Sequence, residues 1–310
     1  MQFWALIVDS FRASLDRKIF WVILLISLVV AGGMFCIAFE PRGINVLFGT
    51  WVITTDAFTV GGEVRPDFIA SVATEWIMDN ILGWLAVILA LIATADFLPT
   101  LMQPGVIEVA VSKPLPRWQL FLGKYIGSLM FFFVHAVIFV GLTFLVLGFR
   151  WGAWIPAYLL SIPLTVLLFS YLYCVSALVA VITRSTITAI LLALGAWVAF
   201  AGVQLLGDTM EMYPQWQESR ALYRGVQVAR WAVPKTQDLT LLARKWTAAA
   251  SPFDMVGTAE KPEDQDMMER ARQAEQKRLA LSPISLIGSS LLFEAFIVVL
   301  AMWRFSRLDF

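Results

Sequence analysis

Two ionisable side chains stand deep inside apolar runs, and they are the residues from which chemistry would first be expected. His135, the single histidine, lies about ten residues into one run, and Glu294 about ten into another. Ionisable groups at such depth are costly in lipid, so they face a partner or a water-filled path. Two readings compete for them. One is a proton relay or substrate contact; the other is an interhelical hydrogen bond, including one from Glu294 to His135 itself. Catalysis has little else to work with. A lone histidine in mid-run excludes a Ser-His-Asp set, and no HExxH, CxxC or paired-carboxylate motif occurs. Catalytic and metal-ligating residues are therefore expected to number none. Cys36 and Cys174 both fall in apolar stretches and read as small hydrophobes. No phosphate-cradling G-x-x-x-x-G-K-[ST] occurs, because Gly123-Lys124 is followed by Tyr125.

The elements that carry these residues are membrane helices. Hydrophobic residues make up 59% of the 310, against 15% charged, and mean hydropathy is +0.76. Soluble domains run nearer to about 45–50% and roughly 25%. Crossing a hydrocarbon core takes about 20 apolar residues. Six stretches qualify: residues 19–39, 77–98, 125–149, 154–182, 186–207 and 285–303. None alternates in the manner of a barrel strand. The fold class expected is an all-α, six-helix membrane bundle forming one domain over residues 1–310, with the lipid bilayer as its solvent. The 23 basic and 23 acidic side chains cancel, so nucleic acid is not a partner.

Basic residues near the span ends set the orientation. Nine lie on one side: Arg12, Arg17, Lys18, Lys113, Arg117, Lys124, Arg184, Arg304 and Arg307. Three lie on the other: Arg42, Arg65 and Arg150. The count leaves out residues 208–284, since loops beyond about 60 residues follow the rule poorly. Both termini are then cytoplasmic, in a multi-pass protein of the cytoplasmic (inner) membrane. Asp9 and Asp16 interrupt the N-terminal leader and Gly33-Met34-Phe35 is a poor lipoprotein box before Cys36, so the first run reads as an uncleaved span. Two outer loops are long enough to fold. Residues 40–76 carry a β-prone patch at 46–53. Residues 208–284 read as mostly helical: amphipathic over 219–233, a helix over 235–246 after Pro234, and a charged helix over 262–281. This second loop is either a cap on the bundle or a surface that contacts substrate or a partner. Small residues at Gly123 and Gly127, and at Gly195, Ala199 and Gly202, suit close helix packing within or between subunits. Trp21, Trp76, Trp118, Trp151, Trp154 and Trp303 sit near span ends, as interfacial belts do.

Between the second and third spans, residues 98–124 are too polar to cross and too apolar for an ordinary loop. Pro99, Pro104, Pro114 and Pro116 divide them into short pieces, with Glu108, Lys113, Arg117 and Lys124 on the wet side. Such a segment lies along the membrane surface as an amphipathic hairpin.

Gly105, Glu108, Ser112-Lys113-Pro114-Leu115-Pro116-Arg117 and Leu122-Gly123-Lys124-Tyr125 resemble the hairpin of type 2 ABC transporter permeases, whose phrase G-x-x-E-x-x-x-S-K-P-x-x-R precedes a G-K opening the third helix. The basic leader 11–20, the order of six spans and the closing Arg304-Phe305-Ser306-Arg307-Leu308-Asp309-Phe310 are also similar to that family. Pro234-Lys235-Thr236 resembles a short motif some members carry in the last outer loop. The resemblance implies a non-catalytic permease of an ABC exporter, paired with a second copy or a paralogue. It implies a separate ABC ATPase subunit that binds the ATP, so that no cofactor is held by this chain. It further implies that Gly105, Glu108, Lys113, Pro114, Arg117 and Lys124 form the ATPase-coupling hairpin, with Glu108, Lys113 and Arg117 facing the ATPase and Lys124 anchoring the third helix. The alternatives are an ATP-independent six-span carrier or channel centred on His135 and Glu294, or a structural membrane anchor.

Overall fold

The computed structural model describes residues 12, 15–16, 18–40, 43–54, 59–60, 63–64, 72–111, 116–212, 219–248 and 283–308. Lys113, Pro114 and the expected helix over 262–281 lie outside them. Among the described residues, six helices are long and apolar enough to cross a membrane: Lys18–Phe35, Trp76–Leu101, Arg117–Trp151, Pro156–Thr183, Thr186–Glu211 and Ile287–Ser306. Lipid offers no hydrogen-bond partner to the backbone, so each unbroken apolar run satisfies its own N–H and C=O groups as a helix.

Span 1 is α1 (Lys18–Phe35). The apolar run continues past it, but Ile37–Glu40 leaves the helix as strand β1. It pairs antiparallel with β2 (Gly43–Val46), which pairs with β3 (Trp51–Thr54). The patch at 46–53 is therefore interrupted: residues 47–50 form a tight reversal in which Gly49 takes φ +93°, a conformation open to a residue without Cβ. A further two-residue pair, β4 (Thr59–Val60) and β5 (Glu63–Val64), follows. The second span opens as a wide π-type helix over Val72–Ala86 and tightens into α2 (Val87–Thr94).

Two short helices follow it, α3 (Phe97–Leu101) and α4 (Val106–Val111). Helix α5 (Arg117–Trp151) then runs for 35 residues, about 52 Å at 1.5 Å per residue. It begins eight residues before the expected span because Pro116, at φ −66° and ψ 145°, sits outside the first turn, where its missing N–H is no loss. It ends at Gly152 in the left-handed region, whose N–H returns to the Leu147 carbonyl. A 3-10 turn (Pro156–Leu160) leads into α6 (Ser161–Thr183), which stops at Arg184, φ +54°. The remaining helices among the described residues are α7 (Thr186–Met212), α8 (Arg220–Ala232), α9 (Thr236–Ala248) and α10 (Pro283–Ser306).

Span 4 is the hub, packed against spans 2, 3, 5 and 6. Its central window is 67% buried, against 22% for spans 1 and 5 and 11% for span 6. Those three spans thus present most of their apolar surface outward. The hub interior is aromatic: Phe121, Tyr125, Tyr173, Phe169 and Phe132 form a continuous chain of ring contacts between α5 and α6. One end of the bundle carries the α3–α4 hairpin and Arg184; the other carries the β-sheet and α9. We call these the hairpin end and the sheet end. Trp151, unlike the other span-end tryptophans named above, is buried, and its Nε1–H donates to the Ile37 carbonyl at 2.9 Å. Arg150 Nε–H donates to the Phe35 carbonyl at 3.1 Å, so the two bonds fix β1 and the end of span 1 onto span 3.

Candidate coupling site and buried polar network

At the hairpin end, α3 turns its apolar side chains inward: Phe97, Leu98, Pro99 and Leu101 are all buried. Gly105 follows at φ +82°, so the reversal into α4 needs a residue tolerant of the left-handed region. In α4, Ile107 is buried and Glu108 exposed. The hairpin is therefore held to the bundle by its apolar side while Glu108 faces solvent. The first two turns of α5, read from sequence as the end of the hairpin, are instead continuous with the third span. Lys124 lies half-buried within that helix.

Arg117, in the first turn of α5, reaches the opposite end of the chain. Its Nη1–H groups donate to the Leu308 carbonyl and, at 3.4 Å, to that of Ser306. The last carbonyls of α10 have no intrahelical donor, and a guanidinium both satisfies them and complements the negative end of the helix dipole. One turn further along α5, the Phe121 ring meets Phe305 at 5.9 Å. One turn beyond that, Tyr125 Oη–H donates to Oε1 of Glu294 at 2.8 Å. Span 3 and span 6 are thus fastened at three successive levels.

Glu294 is also tied to span 4. Ser170 Oγ lies 3.0 Å from Oε2 and 2.8 Å from the Leu167 carbonyl, sharing one hydroxyl proton between them. Beside it, Ser128 Oγ and Tyr173 Oη are 2.7 Å apart, again joining spans 3 and 4. The carboxyl that stood out in the sequence is the junction of three helices. Its partners Tyr125 and Ser170 were not legible beforehand, because separations of 169 and 124 residues carry no local spacing signal.

His135 belongs to a different cluster. Its Nδ1 lies 2.9 Å from the Phe131 carbonyl and its Nε2 3.2 Å from the Phe20 carbonyl on span 1. The Phe20 and Phe131 rings flank it, each at 4.5 Å. A hydrogen bond between His135 and Glu294 does not form; each residue makes its interhelical bonds elsewhere. His135 also lines a small, mostly apolar cleft among spans 1, 2 and 3, with Ser27 and Phe139.

The segment after span 5 folds back onto the bundle. Leu239, Leu242 and Ala243 of α9 are buried, and α9 packs on spans 2 and 4. Within Pro234-Lys235-Thr236, the Lys235 backbone N–H donates to Ser290 Oγ at 3.0 Å. This part of the loop caps the bundle. Among the described residues nothing packs on the two glycines of the span 5 stripe: an added Cβ at Gly195 or Gly202 would find nothing within 4 Å. Gly123 and Gly127, by contrast, are buried in span 3.

Six apolar spans among the described residues, with two short helices lying between the second and the third, make this a multi-pass membrane protein. The chain belongs to the ABC-2 family transporter proteins, whose family model matches residues 4–310. Membership makes it the membrane subunit of an ABC-type transport system, associated with an ABC ATPase. No curated protein matches the chain.

Proposed function

We propose that this protein is the permease of an ABC exporter in the cytoplasmic membrane, with both termini and the hairpin end in the cytosol. Two copies, or one copy and a paralogue, enclose the pathway, and a separate ATPase subunit grips the hairpin of residues 98–124. The observation that carries this reading is the bond from Arg117 to the carbonyls of Ser306 and Leu308. A displacement imposed on the hairpin and passed into the first turn of α5 reaches span 6 through this bond, as well as span 3. Prolines and buried α3 side chains stiffen the hairpin, so it transmits motion rather than absorbing it. Glu108, Lys113 and Arg117 lie along the stretch offered to the ATPase. Lys124, half-buried in α5, anchors the third span there.

The outward-facing Gly195, Ala199 and Gly202 on span 5 support close packing against a second subunit. An ATP-independent carrier built on His135 and Glu294 has less support, because the two side chains sit in separate hydrogen-bonded clusters and form no continuous relay.

The test is purification in mild detergent from the native membrane, with the co-purifying proteins searched for an ABC ATPase. Wild-type protein should co-purify the ATPase, and Arg117→Glu should lower transport-coupled ATP turnover while the protein remains in the membrane. Unchanged turnover in that variant would remove Arg117 from the coupling path.

A further inference from the structure

Helix α8 exposes large apolar side chains that a helix on a water-exposed surface would bury. Such a helix turns its apolar stripe to the core and its charges to solvent. Here the half-buried side towards the bundle carries Tyr223, Val226, Gln227, Ala229 and Arg230, while Ala221, Leu222, Arg224, Gly225, Val228, Trp231 and Ala232 face away. Leu222 is 51% exposed, Val228 67% and Trp231 65%.

Arg230 fixes the depth of this helix. Its guanidinium donates to Asp208 Oδ1 at 2.9 Å, Glu211 Oε1 at 2.7 Å and Gln204 Oε1 at 3.2 Å. Its methylene stem lies against Gly207, where an added Cβ would meet Cδ at 3.0 Å. All four residues belong to the last two turns of span 5, at the sheet end. Span 5 itself turns Leu205 and Leu206 outward at that level, where they meet lipid. A helix pinned there must place its outward side chains at the boundary between hydrocarbon and headgroups. Of its charged positions Arg220, Arg224 and Arg230, none is acidic. Arg230 is neutralised by span 5, and Arg224 is exposed beside Val228.

We infer that α8 is an interfacial helix whose outward face binds the phospholipid surface at the sheet end of the bundle. Leu222, Val228 and Trp231 enter the upper acyl region, and Arg224 pairs with lipid phosphate. This is the arrangement that a basic helix with one apolar face adopts on a bilayer, with the arginine stem extended to the headgroups. It holds whichever way round the bundle sits in the membrane.

The test is a fluorescent label on Val228→Cys, in full-length protein with Cys36 and Cys174 replaced by Ala, reconstituted in phosphatidylcholine–phosphatidylglycerol vesicles. Nitroxide placed shallow on the lipid acyl chain should quench the label at least about threefold more than aqueous iodide does. Dominant iodide quenching overturns the proposal, since the face is then wet. Protection from both quenchers also overturns it, since the face is then covered by protein, whether residues 249–282 or a second copy. If the cysteine-free parent fails to fold, Trp231→Cys with Cys174 retained keeps the measurement available, because Cys174 is fully buried. Arg224→Glu gives a second readout: moving from neutral to anionic vesicles should strengthen acyl-chain quenching in the parent and not in the variant. Equal responses would remove the phosphate contact.

Discussion

The hydroxyl of Tyr125 on span 3 donates to the carboxyl of Glu294 on span 6 across 2.8 Å, and Ser170 of span 4 meets the same carboxyl at 3.0 Å. A charged-type residue in mid-membrane thereby serves as a three-helix junction. Interhelical hydrogen bonds in bilayers contribute about 0.6 kcal/mol on average and up to about 1.7, so the junction is a modest but specific tie.

Glu294→Gln should leave the protein folded and active, because an amide can accept from Tyr125 and donate to Ser170. Its transport rate and pH profile should match wild type. Glu294→Leu should lose both bonds and lower stability by about 1–3 kcal/mol, read as a lower thermal midpoint in detergent. A shifted pH profile in the glutamine variant would establish a proton-handling role instead.

Arg117 and the chain end should behave as one unit. Arg117→Ala removes the donor; truncation after Ser306 removes the Leu308 acceptor. If the bond between them is what matters, the double change should reduce coupled ATP turnover no further than either change alone. Additive losses would show that the two ends act separately. Arg117→Lys should rescue little, since one ammonium cannot reproduce the forked geometry.

Gly148 admits no side chain. An added Cβ would lie 2.6 Å from the Trp154 ring, and Trp154 is held in place by edge contacts with Phe144 and Phe149. Gly148→Ala should therefore destabilise by about 1–3 kcal/mol, while Gly141→Ala on the same helix, with open space around it, should cost under about 0.5 kcal/mol. Thermal unfolding of the two variants checks the contrast.

Arg230→Met should release α8 from span 5. Two charged hydrogen bonds are lost at a site where the partners are mostly covered, their side chains 12% to 27% exposed. The expected loss is about 1.5–3 kcal/mol, together with faster proteolysis in the loop between spans 5 and 6. Pairing the change with Asp208→Asn should cost less than the sum of the two, since each removes the other's partner.

Six spans were legible in the chain from their apolar length alone, because lipid forces any such run to close its own hydrogen bonds. The hairpin was legible for a similar reason. Its prolines, Gly105 and its one-sided charges dictate short interfacial pieces whatever surrounds them. Where the apolar run outlasted the helix, at residues 36–39, length alone misled. Pairing with residues 43–46 and the Trp151 bond draw that stretch into a sheet, and neither is visible in local hydropathy. His135 and Glu294 were legible as costly groups in need of partners, since burial cost depends on residue type and depth. Which partners they take was decided only by tertiary packing. Phe20, Tyr125, Ser170 and the chain end at Leu308 come from distant parts of the sequence, and the contacts that unite them exist only once the helices are side by side.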